Sequence, residues 1–549
     1  MDKKQMLTTA FIAVLLSSAL VGLQSVRLAE ANFMPMQIPQ PAFIIKSDGS
    51  VDPSTAPIQR DGNVYTFTDD IVGYTIAFEL DNVVIDGGGY SLIGNGNSTG
   101  ILILNRNGIT VRNMKVSNFF YGIKLIADIY MGATSSSNNL SDNILTNNEY
   151  GIFISSSSSN VLRNNIMNNN TRNFGVQGKY AQDVDVSNTV DGKPIIFWVN
   201  QHDWTVPSGA GYIALINCTN VTVRHFTLVD NGQGIVLVYT TNSVIDENYV
   251  SNTDSGIYIQ DSSGNTISGN NLTRNGDGIR GQASSNNSMS SNYITNNEHG
   301  IYFTGAAQNN VISGNTVAAN TVDGIHLWAS RNTDVGGNTI TSNTENGINF
   351  FDCRDNRIFG NTITGNGNGI KFWYDTSNNV VSENYIAQNS LGILIDDSFD
   401  NSIIGNMITE NNGWGMRLTG SQNNIRIYHN SFVDNHVEEG LQVSIPGQWP
   451  LETLPGRGNV WDNGTAGNYW SDYITRYPNA SETGSSEIGD IQFYINENNF
   501  DRYPLMNPVT IPEFPSWALL LVLMVAVMLV TIVYKRNMKQ HSRGGSDAI

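Results

Sequence analysis

The chain has 549 residues, and 29 Lys and Arg against 48 Asp and Glu leave it at a formal −19. That balance excludes nucleic acid as a main partner, because phosphate binding needs a basic face. Two cysteines exclude a disulfide-rich scaffold and a cysteine-based zinc site, and 72 Asn with 53 Gly describe a chain that turns often rather than a helical one.

Residues 1–31 read as a secretory signal peptide. Lys3 and Lys4 precede an apolar run from Leu7 to Leu23, and Ala29-Glu30-Ala31 supplies small residues for cleavage. Residues 42–99 are expected to form an N-terminal cap and the first strands, with Val83-Val84-Ile85-Asp86 as a buried strand entering a glycine turn.

From 100 to 445 the sequence repeats. Gly-Ile and its close variants fall at Gly234, Gly256, Gly278, Gly300, Gly324, Gly347, Gly369, Gly392, Gly415 and Gly440, at intervals of 22–25 residues, with earlier copies at Gly100, Gly122 and Gly151. A second marker, Asn-x-Ile/Val-x-x-Asn, runs in phase with it, as in Asn265 to Asn270 and Asn356 to Asn361. A fixed period in this range means a solenoid. Period-two alternation means strands, and no repeat holds a helical pattern. The prediction is an all-β chain: a right-handed parallel β-helix of about 15 coils of 22–23 residues. Asn suits the bends because it tolerates left-handed backbone angles, and its stacked side chains can form ladders. Between Gly151 and Gly234 the period is lost and Trp198, His202, Asp203 and Trp204 cluster; this stretch is read as further coils carrying an extended loop.

Residues 446–511, rich in Pro, Trp and Tyr, are expected to be a C-terminal cap and stalk. In 512–540, an apolar run from Trp517 to Tyr534 precedes Lys535, Arg536 and Lys539, the pattern of a transmembrane helix with its positive charges kept inside. Pro512-Glu513-Phe514-Pro515 stands just before it, and the arrangement resembles the archaeal PEF-type sorting signal. That resemblance implies removal of the tail and transfer to a lipid anchor. In either case residues 32 to about 510 are expected outside the cytoplasm, at the cell surface. Nine N-x-Ser/Thr sites, from Asn97 to Asn479, fit such exposure.

The Asn and Gly-Ile coils, the segment Gly467-Asn468-Tyr469-Trp470-Ser471-Asp472-Tyr473 and the segment Asp501-Arg502-Tyr503-Pro504-Leu505 together resemble the NosD-type β-helix family, and more narrowly archaeal surface proteins with such repeats. The resemblance spans roughly residues 42 to 510. It implies the right-handed β-helix and chooses weakly among functions. The fold hosts polysaccharide lyases, hydrolases, epimerases, adhesins and an accessory factor for copper-site maturation.

Setting the Ile of each Gly-Ile inward puts the residues two and four after Gly outward. The first outward row includes Arg280, Tyr302, His326, Asn349 and Lys371; the second includes Trp328, Phe351 and Trp373 on successive coils. Aromatic rings flanked by His326, Asn349 and Lys371 are what a sugar polymer needs, since rings cover apolar sugar faces and polar groups orient hydroxyls. A polysaccharide or cell-surface glycan is therefore the expected partner, besides the membrane.

Asp352, Asp375 and Asp397 lie along the same edge. They are candidates for an acid–base pair in glycoside cleavage or for holding Ca²⁺, and their bland alternative is the turn, where Asp is common. No metal site is read from the sequence. No two of the seven His share a strand, His202 and His225 stand alone, and His429 and His436 are seven apart beside Glu438 and Glu439. Copper handling is thus expected to find poor ligands. Cys218 and Cys353 are expected to be separate, buried thiols. The leading expectation is a surface binding or structural protein rather than an enzyme; a polysaccharide-active enzyme and a copper accessory protein are the alternatives.

Overall fold

The computed structural model describes residues 38–128, 132–420, 424–435, 441–445 and 458–509. The signal-like segment, the apolar run after Trp517 and the pair His436 and Glu438 lie outside these. Among the described residues no helix is long and apolar enough to cross a membrane. The chain divides into two compact units, residues 1–240 with 248–258, and residues 241–247 with 259–549.

In the first unit, strands Ala42–Ile45, Thr75–Phe78, Thr99–Leu104, Tyr121–Ile126, Tyr150–Ser155 and Arg172–Gln177 stack in parallel, one per coil. Two further sheets of shorter strands complete each turn, as where Thr110–Arg112 lies on Asn139–Ser141 and Lys115–Ser117 on Ile144–Thr146. The aperiodic stretch differs from the expected run of coils. Asp191 and Gly192, both at positive φ, form a tight turn, and Thr189–Val190 pairs antiparallel with Lys193–Pro194. An Asp-Gly pair suits such a reversal because both positions tolerate left-handed angles. The outgoing strand Lys193–Val199 then resumes parallel pairing with Tyr212–Ile216.

In the second unit, the Gly-Ile strands Asp277–Gln282, His299–Thr304, Asp323–Trp328, Asn346–Phe351, Asn368–Trp373, Leu391–Asp396 and Met416–Thr419 form one parallel sheet in unbroken register. Their Ile side chains, Ile279, Ile301, Ile325, Ile348, Ile370 and Ile393, are fully buried, so the pleat runs as the sequence indicates. Two three-residue strands close every coil, as in Arg357–Phe359 and Thr362–Thr364.

The in-phase asparagines bind the coils together. Asn361 donates its backbone N–H and its side-chain amide to Asn384 Oδ1, both at 2.9 Å, and the amide also reaches the Val335 carbonyl. Asn384 repeats this toward Asn406, and Asn406 toward Asn430. Each corner so satisfies backbone groups that a bend would otherwise leave buried and unpaired. The repeated Gly has a packing cause. A Cβ on Gly347 would lie 2.6 Å from the Gly369 carbonyl and 3.0 Å from the ladder amide of Asn366.

The C-terminal segment covers the last coil. Trp470 is buried, stacked on Phe432 at 4.7 Å and on Phe493 at 4.2 Å. Asp501, also buried, accepts from the Asn468 N–H, the Tyr503 N–H and the Trp470 indole.

Candidate functional site

The strand Asp323–Trp328 and its neighbours on either side carry the densest chemistry of the second unit, on their outward face. The same Gly that packs against the ladder sets the arrangement. Its Cβ direction points at core atoms: from Gly324 it would meet Asn343 Nδ2 at 2.8 Å and Ile340 Cγ2 at 2.9 Å. Gly and Ile therefore both face inward, the alternation breaks, and the residue before Gly is turned toward the outer row. Asp277, His299, Asp323, Asn346 and Asn368 occupy that position on successive coils.

Two of these carboxylates organise a cluster. Asp323 is buried and accepts from the amides of Asn346 at 2.6 Å and Asn349 at 2.9 Å. His326 Nδ1 stands 2.8 Å from Asp323 Oδ2, the oxygen that also accepts from Asn349. Burial raises the Asp323 pKa, but His326 and the two amides outweigh that and hold it below the usual carboxylate value. One coil back, His299 Nδ1 lies 3.1 Å from Asp277 Oδ1, and Asp277 is paired with Arg280 at 3.0 Å. Burial disfavours the charged form of His299, yet the carboxylates of Asp277 and Asp323 hold it above the ordinary histidine value. Tyr302 packs against both imidazoles, its ring 5.2 Å from His299 and 4.9 Å from His326, with Arg280 over its face. One donor atom each from His299, Asp323 and His326 falls within 4.8 Å of the others.

The aromatic run begins beside this cluster. Trp328 is 45% exposed and meets Phe351 edge-on at 5.5 Å. Phe351 in turn meets Trp373 at 4.6 Å. Trp373 is partly covered: Lys371 Nζ sits 4.6 Å over its ring, and its indole N–H donates to Asn349 Oδ1 at 3.1 Å. Asn349 is itself buried, so it ties the cluster to the aromatic run rather than facing outward. Tyr374, which the alternation does not single out, is 59% exposed and lies flat on Phe351 at 4.9 Å and 4°. It sits just past the strand, at positive φ.

Asp352, Asp375 and Asp397 also lie past the strand ends, all at positive φ. Arg354 pairs with Asp375 and lies 3.6 Å from Asp352. The buried carboxylates facing the imidazoles are Asp277 and Asp323, not these three. Cys218 and Cys353 are both buried free thiols, and burial pushes the Cys353 thiol up to about 12. His202 is paired with its neighbour Asp203 on the surface.

The coil order and the outward face define a right-handed parallel β-helix protein. Residues 203–340 match a family described as the right handed beta helix region. Residues 58–203 and 307–474 match the family described as periplasmic copper-binding protein (NosD), and the chain belongs to that family. No curated protein matches it in sequence. Among solved structures it is similar to the periplasmic alginate epimerase AlgG, at 13% identity over 71% of this chain and 80% of that one, TM-score 0.30. The Azotobacter vinelandii mannuronan C-5 epimerase AlgE4 A-module matches at 15% over 69% and 90%, TM-score 0.29. The Agl-KA catalytic domain matches at 12% over 62% and 61%, TM-score 0.38. At such identities no residue role passes from them to this chain.

Proposed function

We propose that this NosD-family chain is a surface protein that binds a glycan along the outer face of its second unit. The observation behind this reading is the aromatic run itself. Trp328 and Tyr374 expose ring surface on either side of Phe351, which braces both. Exposed rings of this size fit the apolar face of a sugar ring, and several in a row fit a polymer. The signal-like and apolar terminal segments support a location outside the cytoplasm, with the C-terminal segment as anchor.

The family's description names copper. Two imidazoles and one carboxylate, as in His299, His326 and Asp323, fit Cu(II), which takes nitrogen and oxygen donors. The soft thiols that Cu(I) selects are here Cys218 and Cys353, both buried.

The test is retention of the full-length chain on a panel of neutral and acidic polysaccharides, with released products followed by mass spectrometry. Retention on one polymer without product release is expected. No retention on any polymer refutes the reading. Released oligosaccharides would instead make the chain an enzyme.

A further inference from the structure

We propose that His299, Asp323 and His326 bind a single divalent ion of the borderline first-row class, with Cu(II) held more tightly than Zn(II). The proposal does not rest on the glycan reading. Its ground is how the three donors are held. The residues come from two adjacent coils, 24 residues or more apart for His299 and the other pair; His299 and Asp323 are turned outward by the Gly that follows each, and His326 stands on the outward row two residues after Gly324.

The supporting groups match what a metal ligand requires. A ligating imidazole commonly gives its second nitrogen to a carboxylate, which fixes the ring and its tautomer. His299 does this through Nδ1 to Asp277, which leaves Nε2 for the cluster, and Asp277 is anchored by Arg280. Asp323 is likewise fixed by two amide donors, Asn346 and Asn349. Its side chain is 2% exposed, and among the described residues its ion-pair partner is His326 alone. The Asp323 charge is met by two neutral amides and an imidazole with no lysine or arginine beside it, so a metal ion would supply the full positive charge these partners lack. His326 Nδ1 is buried and close to that carboxylate yet makes no aligned hydrogen bond with it. Two donors crowded in this way, but not bonded to each other, are placed to share one ion.

The donor set also selects the ion. Two nitrogens and one oxygen suit Cu(II), Ni(II) and Zn(II), and affinity follows the order that peaks at Cu(II). Ca²⁺ and Mg²⁺ take oxygen cages of six or more ligands, which this group cannot supply. Three protein donors leave a coordination position open, the pattern of a site that exchanges a ligand rather than one that only staples a fold.

The experiment is a calorimetric titration of the full-length chain, first with CuCl₂ and then with ZnCl₂, with electron paramagnetic resonance of the Cu(II) form. One equivalent is expected per chain, with a spectrum showing two nitrogen donors. His326→Gln and His299→Gln should each weaken binding at least about 100-fold and remove one nitrogen from the spectrum, and Asp277→Asn should weaken it about 10- to 100-fold through His299 alone. Circular dichroism confirms that each variant is folded; the two histidine variants are independent, so failure of one to fold leaves the other. The ion should raise the melting temperature of the wild type and of neither variant. Absence of stoichiometric binding overturns the proposal. So does unchanged affinity in the histidine variants, which would place the ion elsewhere on the chain.

Discussion

Phe351 and Trp328 are neighbours across one coil, but they carry different loads. Phe351 touches Trp328, Trp373 and Tyr374 and braces all three. Trp328 gives much of its ring to solvent. Trp328→Ala should therefore leave the melting temperature nearly unchanged and weaken glycan binding about 5- to 30-fold, the equivalent of roughly 1–2 kcal/mol for one stacked ring. Tyr374→Ala should do the same. Phe351→Ala should lower both binding and stability, because its loss frees three rings at once. Affinity electrophoresis with the retained polymer, beside a thermal scan, separates the two patterns. Equal loss of stability in Trp328→Ala would mean that its ring is packing and not platform. Tyr374 also shows where sequence reading falls short. It lies one residue past the alternating strand, at positive φ, so a strict period of two places it in a turn and assigns it no face.

At the scale of the strand and its corner, the repeat made the inward Ile and the stacked Asn legible, because both rest on local rules: the pleat and the left-handed bend. The cluster at Asp277, His299 and Asp323 was not legible, for one physical reason. Counting back from Ile by alternation sends Gly outward and the residue before it inward, whereas the Gly packs inward against the ladder and reverses that parity. A side chain at that Gly is accordingly costly. Gly347→Ala should destabilise the second unit by about 1–3 kcal/mol, since a methyl group there must displace the Gly369 carbonyl or the ladder amide. Asn384→Ala should cost more, about 3 kcal/mol, because it removes the acceptor of two Asn361 bonds and the amide bond to Asn406, and leaves the buried Asn361 N–H unpaired. Urea denaturation measures both, and hydrogen exchange at the adjacent coils localises the loss, as expected where each repeat leans only on its neighbours.

The C-terminal cap gives the same scale a pH dependence. Burial pushes the Asp501 carboxyl up to about 6, against three N–H donors that act the other way. Its folded value is thus above the ordinary 3.8 of the unfolded chain. A raised carboxyl stabilises the fold below about pH 4 and loses that contribution as pH rises through about 6. Between these values the wild type should lose up to about 3 kcal/mol relative to Asp501→Asn. Hydrogen exchange at the Asn468 and Tyr503 amides across pH 4 to 7 reads the difference. A wild type and variant that change in parallel with pH would show that Asp501 does not titrate in this range.

For the molecule as a whole, charge decides which polymer the outer face can take. The chain carries −19, and the cations nearest the aromatic run are already engaged: Arg280 on Asp277, and Lys371 over Trp373. A polyanionic glycan would approach against the field of the whole protein, and salt would help it by screening that repulsion. A neutral glycan held by ring faces and hydroxyl contacts would feel neither effect. The bound polymer is accordingly predicted to be neutral, with an affinity that changes less than about twofold between roughly 50 mM and 500 mM NaCl. Isothermal titration at the two salt concentrations checks this. Binding that strengthens steeply with salt would point to an acidic polymer held despite the charge. Binding that weakens steeply would point to an acidic polymer held by a local group of cations, and would overturn the prediction of a neutral one.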